Sequence, residues 1–303
     1  MHLHCAPFTM PFSFYILLIS NIVLLLLSNT MPVLFSEHQT TLAFFLIASV
    51  GIPHGAIDHL LFLKKTDKNK LYFYSFYLTL FTIYALSWIY FPLLSMVAFM
   101  FMSAYHFGQS QFEKHTIHPI LNKLLGFSWG TVVLSGLVLF NFAEIKGMTS
   151  SYDEFNNFHL LFNYSLFYSL GISSLFIFIV LGLFQLKFVH FVKEVIYLCL
   201  IGYTFYSQTL ILGFALFFIF NHSATVLHSE YQFLSGLDSN LNVSKFIKAL
   251  APFTALSVIG VFFLYFLTSF GIINLSLPFI ILMIISSLTL PHLVVMELFY
   301  SKK

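Results

Sequence analysis

The chain has 303 residues, of which 59% are hydrophobic and only 8% are charged, and its formal net charge is +2. A soluble domain carries about 25% charged residues, so this composition excludes a water-soluble globule, and the small net charge argues against nucleic acid as a partner. No Gly/Ser-rich linker divides the chain, which predicts one integral membrane domain over residues 1–303. Cys5 and Cys199 are its only cysteines and provide neither a disulfide framework nor a CxxC metal site.

Apolar runs long enough to cross a bilayer, about 20 residues each, recur from end to end. We predict an all-α, polytopic transmembrane bundle of eight to ten spans, because the connections near residues 92 and 207 are short enough to be kinks. The first run has no preceding Lys or Arg and no cleavage site, so we interpret it as a retained span. The predicted spans are 12–28, 41–63, 71–91, 93–112, 124–142, 165–186, 190–206, 208–229, 250–270 and 276–299.

The basic residues predict the orientation of these spans. All 13 are lysines. If both termini are cytoplasmic, every lysine except Lys146 falls on the cytoplasmic side, including Lys114, Lys302 and Lys303, in agreement with the positive-inside rule. We therefore expect a multi-pass protein of the cell membrane with both termini in the cytoplasm. Residues 143–164 are then the largest external segment, and residues 230–248 form a cytoplasmic loop.

The aromatic content permits a second, functional interpretation. Most of the 41 phenylalanines are expected to face lipid or to pack between helices. Together they would also suit a tunnel for a long apolar substrate.

Histidines inside the apolar spans are the strongest functional signal. Ionisable side chains in hydrocarbon are costly, usually face the interior of the bundle and mark function. Six of the 13 histidines lie in such segments: His54 and His59 in GIPHGAIDHLLF, His106 in FMSAYHFGQSQF, His222 and His228 in FIFNHSATVLHSEY, and His292 in LTLPHLVVMELF.

Four of these histidines are expected at one depth. His54, His106, His222 and His292 are residues 14, 14, 15 and 17 of spans that all run from outside to inside. At a rise of about 1.5 Å per residue, their depths differ by only about 5 Å. Neutral imidazole binds iron, copper or zinc well, and a site rich in histidine with little carboxylate suits non-haem Fe(II) or Cu better than Mg or Ca.

The residues around these histidines fit a metal site. Pro53 and Pro291 each precede a histidine and should interrupt a helix where it lines a cavity. Gly55 allows another group to approach His54. Asp58 lies four residues after His54 on the same helix face, where it can accept a ring N–H and orient a ligand; the alternative is an ion pair with Lys64 or Lys65.

Four segments resemble one known family. GIPHGAIDH, AYHFGQSQ, NHSATVLHSEYQF and LPHLVVMELF are similar to the histidine motifs of the bacteriorhodopsin-related Brp/Blh membrane β-carotene 15,15′-dioxygenases, and the similarity covers about residues 45–299. The resemblance implies an Fe(II) enzyme that adds O₂ across the central double bond of β-carotene and releases two molecules of retinal. By analogy it also implies a supply of retinal to a rhodopsin in the same cell.

The resemblance assigns His54, His106 and His222 as the first three iron ligands. In the family a further histidine follows the third by four residues, where this chain has Val226. We prefer His228 as the fourth ligand, provided that its helix is locally unwound, with His292 as the alternative. Asp58 and His59 are expected beside the ligands, and no catalytic residue is assigned outside the metal site.

Other functions remain open on the sequence alone. Another membrane non-haem iron oxygenase acting on carotenoid or lipid would use the same histidines. A di-iron desaturase would need HxxxH and HxxHH clusters, which this chain lacks. A haem cytochrome would need facing histidine pairs, and a proton-coupled transporter could use His54, Asp58 and His222 as a relay.

Overall fold

The computed structural model describes residues 9–51, 53–113, 115 and 117–301, without the side chains of residues 253, 257, 261, 264, 265 and 277. Cys5, Lys114, Lys302 and Lys303 lie outside the described residues. All regular secondary structure within them is helical. The α-helices are α1 (Phe12–Thr30), α2 (Pro32–Leu46), α3 (Asp58–Lys65), α4 (Lys70–Tyr90), α5 (Pro92–Phe112), α6 (Pro119–Phe140), α7 (Phe142–Ser150), α8 (Tyr164–Gln185), α9 (Phe188–Ser207), α10 (Leu210–Leu216), α11 (Ala224–Leu237), α12 (Val243–Ser269) and α13 (Leu277–Tyr300).

The helices confirm the predicted polytopic bundle. Helices α4 and α5, of 21 residues each, coincide with predicted spans. Among the described residues, eight segments, which do not include α4 and α5, are long and apolar enough to cross a membrane: Phe12–Thr30, Pro32–Lys65, Pro119–Phe140, Tyr164–Gln185, Phe188–Ser207, Leu210–Leu237, Val243–Gly260 and Pro278–Tyr300.

The two short connections are breaks between helices. Pro92 opens α5 directly after Phe91, whose backbone is not helical, as expected for a residue before proline. Near residue 207, α9 ends at Ser207 and α10 begins at Leu210, after an extended Gln208. Pro291, in contrast, does not end its helix, because α13 continues to Tyr300.

The predicted external segment folds into compact structure. It forms α7 and two single 3₁₀ turns, Asp153–Phe155 and Phe158–Leu160. The buried rings of Phe155 and Phe158 pack against Trp88 and Phe279, which fixes this segment across the ends of α4 and α13.

Helices α5 and α6 cross at backbone contact. A Cβ added to Gly108 would lie 1.8 Å from the carbonyl oxygen of Gly126, and one added to Gly130 would lie 1.9 Å from that of Ala104. Small residues four apart on both helices permit this approach, the usual device for packing helices in lipid. His106 lies between Ala104 and Gly108, so the crossing fixes its height in the bundle.

Two of the spans are interrupted where they carry a histidine. A π-helical segment, Ile47–Gly51, precedes a 3₁₀ turn formed by Pro53–Gly55. A second π-helical segment, Phe217–Ser223, separates α10 from α11. Wide π turns occur often at functional sites, and here they present His54 and His222 towards the interior.

Candidate metal centre

His54 is held by backbone. Its ring Nδ1 donates a hydrogen bond to the carbonyl of Gly51, at the end of the first π-helical segment. With Nδ1 carrying the proton, Nε2 keeps its lone pair. His54 can therefore coordinate a metal through Nε2.

His222 is held by Ser110 of α5. The hydroxyl of Ser110 donates to the carbonyl of Phe107 at 2.9 Å, so its oxygen accepts from Nδ1 of His222 at 3.0 Å. This arrangement again leaves Nε2 of His222 unprotonated.

His292 is held by a carboxylate. Its Nδ1 lies 2.9 and 3.0 Å from the two oxygens of Asp58. The hydroxyl of Tyr77 donates to Asp58 at 3.1 Å. Asp58 therefore lies where a carboxylate orients a ligand histidine, but its partner is His292 of another helix and neither Lys64 nor Lys65.

The four rings meet at one point inside the bundle, where three of them are buried and His54 is half-buried. Ligand nitrogens of His54, His106 and His292 all lie within 4.8 Å of one another. The Nε2 atoms of His106 and His222 are 3.0 Å apart, the separation expected at a right angle for two nitrogens each about 2.1 Å from one metal. Exposed fractions are 3% for His106, 1% for His222 and 5% for His292. We call these four residues the histidine cluster.

Unpartnered nitrogens show that the cluster suits a metal. Within the part of the chain that the structure describes, Nε2 of His292 and Nδ1 of His106 are buried without a hydrogen-bond partner. Buried polar atoms in native proteins almost always have a partner. A metal ion would be a suitable partner for Nε2 of His292. An all-imidazole donor set fits iron, copper or zinc and disfavours Mg or Ca.

The surroundings of the cluster differ between His222 and His292. Phe218 stacks on His222 with ring centroids 5.6 Å apart, and Phe214 stacks on Phe218 at 5.3 Å. Phe107 meets His222 edge to face at 4.8 Å. Asp58 and Tyr77, in contrast, lie next to His292. His222 is thus covered by an aromatic wall, formed by Phe107, Phe214 and Phe218, whereas His292 has polar neighbours.

Two sequence-predicted site residues lie away from the cluster. His228 is exposed on α11, so the preference for it as the fourth ligand does not fit the structure. The helix opens into a π segment at 217–223 and is regular again from Ala224, too early to turn His228 inward. His59 packs beside Tyr74 and Phe73, with centroids 6.4 Å from each ring. The structure brings His292, the alternative ligand, to the cluster instead.

Val226, at the family position of the fourth histidine, is fully buried. It belongs to an apolar cluster that also contains Ile57, Val295 and Met296. Ile57 precedes Asp58, and Val295 and Met296 follow His292 by three and four residues, so Val226 belongs to the apolar core that adjoins this pair.

The comparison with known families now adds a second observation. The family model described as beta-carotene 15,15′-dioxygenase matches residues 45–300. The chain belongs to this family. The match contains all four histidines of the cluster. Membership of this family implies that the protein is a carotenoid dioxygenase. No curated protein and no solved structure matches the chain.

Some partners of the cluster had no sequence signal. Ser110 is a polar residue in the predicted span 93–112, but nothing in the sequence linked it to His222. Tyr77 is one tyrosine among 16, and its link to Asp58 exists only in the folded chain. For this dioxygenase-family member, the sequence predicted the four histidines and the role of Asp58, but it did not predict the contacts made by Ser110 and Tyr77.

Proposed function

We propose that this protein is an iron-dependent dioxygenase that cleaves β-carotene at its central double bond and forms two molecules of all-trans-retinal. The observation that carries the proposal is the convergence of four imidazoles, three of them buried and that of His54 half-buried, in a chain of the β-carotene dioxygenase family.

His54, His106, His222 and His292 would hold the iron, with His228 outside the ligand set. When bound, Fe(II) supplies the activation of O₂, which is chemistry of the cofactor itself. The protein sets the tautomers of the ligands, because Gly51, Ser110 and Asp58 each accept a hydrogen bond from the Nδ1–H group of one histidine. Burial of the rings keeps bulk water away.

The aromatic wall supports an apolar substrate. A polyene lying along Phe214 and Phe218 would reach His222, because these three rings stack in succession along one helix face. Holding one double bond beside the reacting oxygen is catalysis by positioning. A substrate dissolved in the bilayer also explains an enzyme built inside it.

The stoichiometry agrees with a site that lacks a dedicated acid or base. One C=C bond breaks, and each oxygen atom of O₂ becomes the carbonyl oxygen of one aldehyde. No proton is gained or lost overall, so no catalytic residue beyond the metal ligands is required.

The cellular setting is part of the proposal. A cell-membrane location with both termini in the cytoplasm is supported by the lysine distribution. Retinal as product would serve a rhodopsin in the same cell, by analogy with the family.

Retinoid analysis tests the function directly. The protein is expressed in β-carotene-producing bacteria, and retinoids are extracted and quantified. We expect retinal with the wild type, none with His54→Ala or His106→Ala, and wild-type amounts with His228→Ala as the matched control. Cleavage products shorter or longer than retinal would refute central cleavage. Full turnover after complete removal of iron would refute the metal centre.

A further inference from the structure

A second polar layer lies beyond the histidine cluster, further along the same three chain segments. Glu113 follows His106 by seven residues, and Glu230 and Tyr300 follow His222 and His292 by eight. At about 1.5 Å per residue, the layer is about 10–12 Å from the cluster, towards the end of the bundle predicted to be cytoplasmic.

The three side chains come together there. Tyr300 lies within electrostatic range of both Glu113 and Glu230. Glu230 is also within range of Asp58, which bonds to His292. The three chain segments that carry His106, His222 and His292 therefore also carry the three side chains of this second level, and Asp58 is in electrostatic range of Glu230 while bonding to His292. We call Glu113, Glu230 and Tyr300 the acidic layer.

Glu230 has the character of a ligand group. It is 0% exposed, and both of its carboxylate oxygens are buried without a hydrogen-bond partner among the described residues. The hydroxyl of Tyr300 is in the same condition. A buried carboxylate without a partner is strongly unfavourable, so these oxygens are expected to meet a cation or its water shell.

The histidine cluster needs a route for its metal. A dication cannot pass the aromatic wall, because Phe107, Phe214 and Phe218 offer no ligand and a charge in hydrocarbon is costly. Away from the aromatic wall, Glu230 and Asp58 offer carboxylate oxygens in succession, and Asp58 in turn contacts His292. Carboxylates attract a hydrated dication but hold iron or cobalt less firmly than imidazole does. Ligands that bind the metal more firmly towards the cluster favour the movement of a dication inwards.

We infer that the acidic layer is the entry site through which a divalent cation passes from the aqueous end of the bundle to the histidine cluster. Glu230 is its central ligand. The inference rests on the proposed metal centre and adds to it a separate site for the same class of ligand.

Loading kinetics test this role. Purified, metal-free protein in detergent is mixed with Co(II), whose visible absorption reports coordination by imidazole. Glu230→Gln should slow loading at least tenfold, while the final occupancy and the final spectrum equal those of the wild type. Glu194→Gln is the matched control, since Glu194 is an intramembrane carboxylate that already accepts from Gln111 at 2.8 Å; its loading rate should not change.

Glu230→Asp provides a second variant that keeps the charge, and it should load faster than Glu230→Gln. If Glu230→Gln loads as fast as the wild type, the entry role is wrong and the metal centre stands. If it lowers final occupancy or changes the spectrum, Glu230 supports the cluster itself and the entry role is also wrong. If the wild type takes up no Co(II), the metal centre fails first, and the entry site fails with it.

Discussion

His292 and Asp58 are 234 residues apart in the chain, yet Nδ1 of the ring lies 2.9 Å from one carboxylate oxygen and 3.0 Å from the other. The pair joins α13 to the first turn of α3, and it fixes the proton of His292 on the nitrogen away from the cluster. A carboxylate in this position also raises the basicity of the ligand nitrogen.

Asp58→Asn should weaken metal binding by about 10–100-fold, the usual effect of losing such a carboxylate. An amide accepts one hydrogen bond but no longer offers a charge to stabilise the imidazole. Competition with a chelator of known affinity measures the change. Asp67→Asn makes the same chemical change on a nearby exposed carboxylate and should leave affinity unaltered. Equal affinities for both variants would show that Asp58 does not act on the metal.

Tyr77→Phe removes the hydroxyl that donates to Asp58 at 3.1 Å. Asp58 then loses one of its two anchors, and we expect weaker metal binding by about fivefold, corresponding to about 1 kcal/mol for one hydrogen bond. Tyr74→Phe is the control, because Tyr74 lies one turn earlier on α4 and stacks on His59. The idea fails if the two variants bind metal alike.

His292→Ala and His228→Ala decide the fourth ligand. We expect His292→Ala to lose most of its iron, since it removes a buried ring from the cluster, and His228→Ala to keep it, since that ring is exposed. Iron per chain is measured in the purified proteins. The reverse result would restore His228 and imply that α11 unwinds further when metal binds.

Gly108→Ala should destabilise the protein and displace His106. Its Cβ would lie 1.8 Å from the carbonyl oxygen of Gly126, and backbone cannot move aside as a flexible side chain can. We expect the free energy of unfolding to fall by about 1–3 kcal/mol or more, as is typical of overpacking. This loss is measured as a lower midpoint of thermal unfolding in detergent, and the variant should also bind less iron. Gly136→Ala, whose nearest contact is Phe205 at 3.9 Å, should behave as the wild type. A stable Gly108→Ala protein with full iron would contradict the close crossing.

The predicted orientation places α7 outside the cell. In a variant with Cys5 and Cys199 replaced by serine, Ser150→Cys should react with a membrane-impermeant thiol reagent on intact cells, because Ser150 is exposed. Asp67→Cys, in the opposite predicted compartment, should react only after lysis. The converse labelling pattern would invert the topology and place the acidic layer at the external face.

Local sequence properties predicted the helices and the depth of the histidines. Hydropathy located the spans, and a fixed rise per residue put His54, His106, His222 and His292 at one level. The choice between His228 and His292 could not be made in this way, because it depends on how far the π-helical segment at 217–223 extends. The bond from Tyr77 to Asp58 and the acidic layer also depend on tertiary packing, which leaves no periodicity in the sequence.

The three held histidines differ in what accepts their Nδ1 proton: a main-chain carbonyl for His54, a hydroxyl for His222 and a carboxylate for His292. Any metal in the cluster therefore meets electron donors of unequal strength, with His292 the strongest. Substitutions at Ser110 and Asp58 can adjust two of these donors independently. The acceptor of His54 is a main-chain carbonyl, which no side-chain replacement at Gly51 removes. Selection for a different reduction potential of the metal would therefore act through the partners of His222 and His292, while the hydrogen bond of His54 stays the same.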